Sequence, residues 1–432
     1  KQVHALGEIG IEFPRENERL YPQRELAAHV LGYVNADGIG VMGMERALND
    51  RLVDKDLRAS PTILSIDSRV QAAMESELQD AMIMTEARGA AGIILDVQTG
   101  EVMALASLPL FDPNKIRRAS MKYQNNEVTQ SVFELGSTFK PLTIAAALDA
   151  GTVTDLAVRY NAMEPIKIGG FTIKDDHSQG RYLNVPETLV HSSNIVTARI
   201  ADNLGKEAME NMFRRLGFDE RPHIELFERG QPLWPRSWGR VTNMTVAYGH
   251  GIAVTPLHLA SAYAALVNGG IWRPATLLKV EPGKEAEGRR VFKAATSARM
   301  RQLLRMIVSD GTGRKADAPG YRIGGKTGSA EKPSEGGYNK TSLVSTFSAA
   351  FPMDNPRYVV IAMLDEPKGT AETSFQRTAG WTTAPIVRKL VSRVGPMLGV
   401  IPDEHRDVDV SELTPLLWKP KAKAEEQDDA TE

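Results

Sequence analysis

The sequence contains no cysteine. That excludes disulfides, thiolate nucleophiles and cysteine-bound metals, and leaves the redox compartment open. It has no surplus of either charge: 52 lysines and arginines stand against 54 acidic residues, for a net charge of -2. Arginine pairs such as Arg117-Arg118, Arg214-Arg215 and Arg289-Arg290 are scattered rather than clustered, so no nucleic-acid partner is expected. His4, His29, His177, His191, His223, His250, His258 and His405 never fall at metal-ligand spacing, so neither a metal nor a cofactor is expected. No apolar run approaches the roughly 20 residues of a membrane span, and no signal-peptide pattern opens the chain. Its first residue is Lys1 rather than methionine, so we expect a fragment whose targeting segment is missing.

What is present is enough for a large core. A chain of 432 residues with 42% apolar content can hold one big domain plus accessories. Residues 1 to about 60 are too thin in apolar residues to fold alone. They read as the end of an upstream accessory domain, with an extended run at Ala5 to Ile11 and a helical patch at Met44 to Val53. Asp67 then caps an amphipathic helix marked by Val70, Ala73, Met74, Leu78, Ala81 and Met82. Ala90 to Val97 reads as a buried strand, turned by Gln98-Thr99-Gly100 into a second, Glu101 to Leu108. From about 112 to 250 the pattern is mostly helical. Helices are expected from Pro186 to near His191, from Ile195 to Leu204 before Gly205, and from Thr255-Pro256 to Asn268. Strands return in the extended segment Tyr321 to Ala330 and in a hairpin, Ser342 to Phe351 with Arg357 to Leu364. A helix from Thr382 to Leu398 completes the pattern. Strands from both ends of the chain imply an α+β fold with one late-assembled sheet, and a single domain over 61–418. The charged tail 419–432 is expected to be disordered.

Phe133-Glu134-Leu135-Gly136-Ser137-Thr138-Phe139-Lys140-Pro141 reads as a loop delivering Ser137 to the start of a helix that stops at Gly151. Ser137 and Lys140, three apart, share a face there, and a lysine within reach of a serine hydroxyl can take its proton. Taken singly, each motif has a plainer reading. Ser137 could be a helix cap beside a solvated lysine, Ser192-Ser193-Asn194 a turn between two helices, and Lys326-Thr327-Gly328 a polar strand end. A second Ser-x-x-Lys, Ser329 with Lys332, begins in an extended segment where residues three apart face opposite ways, and is set aside. The three motifs in this order are the set found in serine penicillin-binding proteins and β-lactamases.

With those motifs in place, the sequence resembles the class B penicillin-binding proteins, peptidoglycan D,D-transpeptidases, and within them the division-specific (FtsI-type) branch. The likeness runs to about residue 402. It includes Glu25 to Gly32, Asp96 to Val102, Asp112-Pro113-Asn114, Tyr248 to Gly251 with Thr255-Pro256-Leu257, and Gly324 to Gly328. It implies a penicillin-binding-protein/β-lactamase-like domain: a central five-stranded antiparallel sheet flanked by helices, with an all-helical subdomain. It also implies an acyl-enzyme on Ser137, formed from peptidoglycan stem peptides of lipid-II-derived strands and blocked by β-lactam antibiotics.

The resemblance assigns roles residue by residue. Lys140 would be the base, Ser192 a proton relay, and Asn194 a holder of Lys140 and the substrate amide. Lys326 would supply positive potential, Thr327 and Ser329 would receive the substrate carboxylate, and Gly328 would let the strand come close. The backbone amides of Ser137 and Ser329 would form the oxyanion hole. Three positions depart from the family pattern, with Leu135 in place of proline, Val196 in place of glycine and Ser329 in place of threonine. His250 sits where an aromatic is frequent. The family is anchored in the inner membrane by one helix, with its catalytic domain in the periplasm. Divisome membrane proteins, a polytopic glycosyltransferase among them, would bind through the absent N-terminal part. Other readings are an elongation-specific relative, a β-lactam sensor domain and a class D β-lactamase, whose middle motif usually ends in valine where Asn194 stands.

Overall fold

In the computed structural model, which describes residues 19–334 and 337–418, the chain enters through short elements. These are α1 (Ala28–Leu31), β1 (Tyr33–Val34), β2 (Gly40–Met42), α2 (Gly43–Ala47) and α3 (Asn49–Val53). The run expected at Ala5 to Ile11 and the tail 419–432 lie outside the described residues. The entering segment leans on the larger body of the protein. Ala27, Val30 and Met44 join the largest core cluster, the Ala27 amide donates to Glu75 at 2.8 Å, and His29 Nε2 lies 2.7 Å from the Tyr123 carbonyl oxygen. Within the entering segment, Gly32 lets the end of α1 pass close to β2: with φ at +73°, a Cβ there would fall 1.8 Å from the Met42 carbonyl oxygen.

Next come α4 (Ser68–Met84), β3 (Gly89–Asp96) and β4 (Val102–Leu108), then α5 (Lys140–Asp149), β5 (Ile166–Ile168), β6 (Phe171–Ile173), α6 (Val185–Val190), α7 (Asn194–Leu204), α8 (Lys206–Arg215) and α9 (Arg240–Val246). The chain continues through α10 (Pro256–Val267), β7 (Ile271–Trp272), β8 (Arg289–Arg290), α11 (Ala294–Ser309), β9 (Gly324–Ser334), β10 (Gly337–Phe351), β11 (Tyr358–Asp365) and α12 (Thr383–Val394). Asp67 caps α4 as expected, its carboxylate accepting from the Arg69 amide at 2.9 Å.

The sheet has five strands in the order β4-β3-β11-β10-β9, all antiparallel. Two adjacent interior strands, β3 and β11, are apolar up to their final aspartates because both faces are covered. Ala91, Ile93 and Leu95 of β3, with Val359, Ile361 and Met363 of β11, join the cluster formed with α5, α10 and α11. Ala90, Ile94, Val360, Ala362 and Leu364 point the other way, to α4 and α12. The alternation is the strand period of two. Strand β9 is left at an edge, beside α11 and the turn that precedes α5.

Two boundaries and one hairpin differ from the sequence reading. Strand β9 begins at Gly324 rather than Tyr321, because Arg322 adopts φ +49° and turns to bond Asp354. Helix α12 stops at Val394, where Pro396 lacks the amide that would continue the ladder. The helical layer also carries a hairpin, β5–β6, against α7.

Candidate active site

Gly136–Phe139 forms one turn of 3-10 helix running directly into α5. Residues three apart eclipse in such a turn, so Ser137 and Lys140 stand on the same side. Pro141 fits because the first helical amides have no internal partner. The turn is fixed from several directions. Thr138 Oγ1 donates to the Leu135 carbonyl at 2.9 Å, and the buried Tyr263 hydroxyl donates to the Thr138 carbonyl at 2.8 Å. Phe139 packs against Phe213 and Phe218, each with ring centroids 5.5 Å away.

Ser192 is placed by the junction between two helices. Asn184 and Glu187 form a capping box at the start of α6. Glu187, fully buried, also meets Arg159 at 3.0 Å, Arg181 at 2.8 Å and the Trp418 amide at 2.8 Å. At the other end of α6 the Ser193 amide donates back to the Thr188 carbonyl at 2.9 Å, and Ser192 takes φ +60°. This is a Schellman-type ending with serine in the left-handed position that glycine usually fills. Ser193 then caps α7, its hydroxyl accepting from the Val196 amide at 3.1 Å.

Two lysines converge on Ser192. Lys140 Nζ lies 3.0 Å from Ser192 Oγ and also bonds the Ser192 carbonyl; Lys326 Nζ lies 2.9 Å from the same Oγ. Both side chains are fully buried. Burial pushes Lys140 down to about 7, against the opposing pull of Asp175 and Asp176. Lys326 is pushed well below the usual lysine range, first by burial and then by Lys140. An amine near neutrality inside a dry site can exchange protons at physiological pH.

Strand β9 closes the other side. Gly328 passes so near the turn that a Cβ there would sit 2.4 Å from the Leu135 carbonyl oxygen and 2.7 Å from Thr138 Cγ2. The Ser329 carbonyl oxygen would lie 3.3 Å from a Cβ on Gly136. In an antiparallel strand the amide and carbonyl of one residue point to the same side, so the Ser329 amide faces the groove rather than β10. Thr327 Oγ1 lies 3.2 Å from Lys326 Nζ and 2.8 Å from Thr312 Oγ1. Ser329 Oγ accepts from the Ala379 amide at 3.0 Å.

Two expectations need correction. Lys140 is held by Ser192, and among the described residues no hydrogen bond joins it to Ser137. Asn194 does not hold Lys140: its Nδ2 donates to the Lys174 carbonyl at 3.0 Å. Lys332 of the second Ser-x-x-Lys points away and pairs with Glu366 at 2.9 Å. Thr312, Tyr263, Asp175 and Asp176 were not identified from sequence.

A groove bounded by an edge strand carrying Lys-Thr-Gly, with a serine turn and two buried lysines sharing a hydroxyl, defines a serine acyl-transfer site. Residues 90–392 match the penicillin binding protein transpeptidase domain, and the chain belongs to that family. It is 42% identical over 408 residues to the Caulobacter vibrioides protein named "Probable peptidoglycan D,D-transpeptidase FtsI", covering 92% of this chain and 69% of that one. The Neisseria gonorrhoeae protein named "Probable peptidoglycan D,D-transpeptidase PenA" is 33% identical over 433 residues, 93% of this chain and 72% of its own length. Among solved structures, penicillin binding protein 3 from Mycobacterium tuberculosis, complexed with aztreonam, superposes with a TM-score of 0.80 at 27% identity, over 90% of this chain and 92% of that one.

Proposed function

We propose that this chain is a division-type peptidoglycan D,D-transpeptidase that cross-links stem peptides through an acyl-enzyme on Ser137. The observation that carries the reading is the convergence of Lys140 Nζ and Lys326 Nζ on Ser192 Oγ, beside the turn that bears Ser137. Ser137 Oγ attacks the carbonyl carbon of the penultimate D-alanine, and its proton passes to neutral Lys140. The amide bond to the last D-alanine breaks, and the departing amine takes a proton through Ser192. An ester remains on Ser137. An amine from a neighbouring stem then attacks that ester, forms the cross-link and returns the proton to Ser137. Splitting one acyl transfer into two steps is what a covalent nucleophile offers.

The amides of Ser137 and Ser329 serve as oxyanion donors, each of a kind often worth about 3 kcal/mol. Lys326, Thr327 and the Ser329 hydroxyl receive the substrate carboxylate. Asn194 acts through the backbone it ties down. β-Lactams acylate the same serine in place of the stem. We further propose the domain division 1–60 and 61–418, an inner-membrane anchor with the catalytic domain in the periplasm, and divisome membrane partners that include a polytopic glycosyltransferase.

Intact mass after mixing with penicillin, followed by peptide mapping, tests the assignment. A single stable adduct on Ser137 is expected, absent in Ser137→Ala. Full labelling of that variant would remove Ser137 as the nucleophile.

A further inference from the structure

Beyond the matched residues 90–392 the chain goes on to tie together two sides of the groove. It leaves α12 through Leu398 and Val400, buried in the core cluster that α4 and α12 form with the sheet, and then passes the root of β9. There the Asp403 amide donates to the Gly320 carbonyl at 2.9 Å, and the Asp403 carbonyl accepts from Arg322 Nη1 at 3.2 Å. Arg322 and Arg406 both pair with Asp354, each at 2.7 Å.

The segment next runs antiparallel to α11. Asp407 meets Arg305 at 2.8 Å, the Asp409 carbonyl accepts from Gln302 Nε2 at 2.7 Å, and Glu412 meets Arg299 at 3.4 Å. Positions 299, 302 and 305 share one face of that helix. Arg305 also donates to the Ile323 carbonyl at 3.0 Å, on the residue that leads into β9. At its far end the segment reaches the start of α6. The Leu416 carbonyl accepts from Asn184 Nδ2 at 2.7 Å, and the Trp418 amide donates to Glu187 at 2.8 Å. Arg181, which pairs with Glu187, lies over the Trp418 ring, 5.0 Å from its centre.

Helix α6 has six residues, and a helix this short gains too little from its own hydrogen bonds to hold its place. Its other end delivers Ser192. Residues 403–418 thus reach the root of the strand that carries Lys326 and the start of the helix that aims Ser192. Between those ends lies α11, which packs on β9, α5 and α6. The segment adds little to the core: of the described residues 403–418, Leu413 alone is buried, within the largest cluster.

We infer that residues 403–418 brace the acyl-transfer site and keep Ser192 within reach of Lys326. Leu413 anchors the brace, and the Trp418 amide holds α6; both are positioning residues. The inference rests on the roles proposed above for Ser137, Ser192 and Lys326.

The test separates geometry from stability in the full chain. Penicillin acylation is followed at rising drug concentration, so that the limiting acylation rate and the dissociation constant of the preceding complex are read apart, with rates counted per labelled site. Trp418→Pro removes the amide that reaches Glu187, whereas Trp418→Ala keeps the amide and removes only the ring. Leu417 is already extended, at φ -75° and ψ 127°, as a residue before proline must be. Trp418→Pro and Leu413→Ala should each lower the limiting rate about tenfold, with the dissociation constant within about threefold of wild type. Trp418→Ala should keep its limiting rate within about threefold. A segment that merely stabilises the fold would shift unfolding midpoints and leave the limiting rate per labelled site unchanged. Limiting rates within about threefold of wild type in both Trp418→Pro and Leu413→Ala overturn the inference. So does an equal loss in Trp418→Ala and Trp418→Pro, since the backbone tie would then play no part. If Leu413→Ala fails to fold, the exposed position Trp418 alone decides. Failure of the underlying reading looks different: wild-type protein would form no adduct on Ser137.

Discussion

Replacing Gly328 by alanine isolates the closeness of β9 to the nucleophile turn. Gly328 is not in a left-handed conformation, so the added methyl acts only through contact. It would sit 2.4 Å from the Leu135 carbonyl oxygen and 2.7 Å from Thr138 Cγ2, where ordinary contact begins at 3.4 Å. Neither neighbour is the free end of a long side chain, so strand and turn must part by about 1 Å. Overpacking of this kind costs about 1–3 kcal/mol. The larger effect falls on rate, since a displacement of about 1 Å between reacting groups can cost about a hundredfold. The assay is the second-order rate constant for penicillin acylation, measured beside thermal unfolding. A suitable comparison is Gly92→Ala, whose methyl would press on Leu78 Cδ1 at 2.9 Å and Met74 Sδ at 3.1 Å, beneath α4 and away from the groove. Both variants should lose stability, and only Gly328→Ala should lose about two decades of rate. Acylation of Gly328→Ala within about threefold of wild type, or an equal loss in Gly92→Ala, would refute the reasoning.

Two further predictions concern the scaffold. Tyr263→Phe removes the hydroxyl that satisfies the Thr138 carbonyl; a buried carbonyl left without its donor should cost about 1–3 kcal/mol in denaturant unfolding and slow acylation by loosening the turn. A variant of unchanged stability would show that the bond contributes nothing. His258 receives the Thr255 amide on Nδ1 at 3.2 Å, and Nε2 faces the Glu220 carbonyl at 2.9 Å, an arrangement that suits the neutral ring. Burial pushes it down from 6.5 to about 4. Below about 6.5 the unfolded chain takes up a proton that the folded protein refuses, so stability should drain as pH falls from 6.5 toward 4, by as much as about 3 kcal/mol. Unfolding midpoints at pH 7.5 and 4.5 should differ less in His258→Gln than in wild type, and equal differences would exclude His258 as a source.

Much of this architecture is legible along the chain because its causes are local. Apolar runs at Ala90 to Leu95 and Tyr358 to Leu364 signal strands covered on both faces, and Asp67, Thr255 and Pro186 mark helix starts by chemistry confined to one turn. Helix α11 is equally legible in Met300, Leu303, Leu304 and Ile307, although the sequence reading did not include it. The eclipsing of Ser137 and Lys140 also follows from spacing alone. The partners of Lys140 do not, because Ser192 lies 52 residues away and is aimed by a left-handed backbone that serine seldom adopts. Tyr263 reads as one more apolar residue of α10, and only its 125-residue reach to Thr138 reveals another task. Asp175 was invisible for a similar reason: it follows a hairpin built from strands of three residues, too short for periodicity to register.

The site is costly to the fold in which it sits. Burial holds both lysines below the usual lysine range, so folding at neutral pH disfavours protons that the unfolded chain keeps, at a cost in stability, and a non-glycine residue at φ +60° adds about 1 kcal/mol or more. Ser192 offsets only part of this, offering its hydroxyl oxygen to both lysines and its carbonyl to Lys140. The compensation comes from outside the groove. Helix α6 is fastened at its start by Glu187 between Arg159 and Arg181, and at its Asn184 cap to the Leu416 carbonyl at 2.7 Å. The turn after α6 is fastened by Asp175, whose carboxylate accepts from Ser193 Oγ at 2.7 Å and from the Ile195 amide at 2.9 Å, and the sheet beneath is packed on both faces. A left-handed serine survives only where the surrounding backbone leaves it no alternative. The ties of residues 184–195 to distant parts of the chain are therefore as much a part of the acyl-transfer site as the lysines they hold in place.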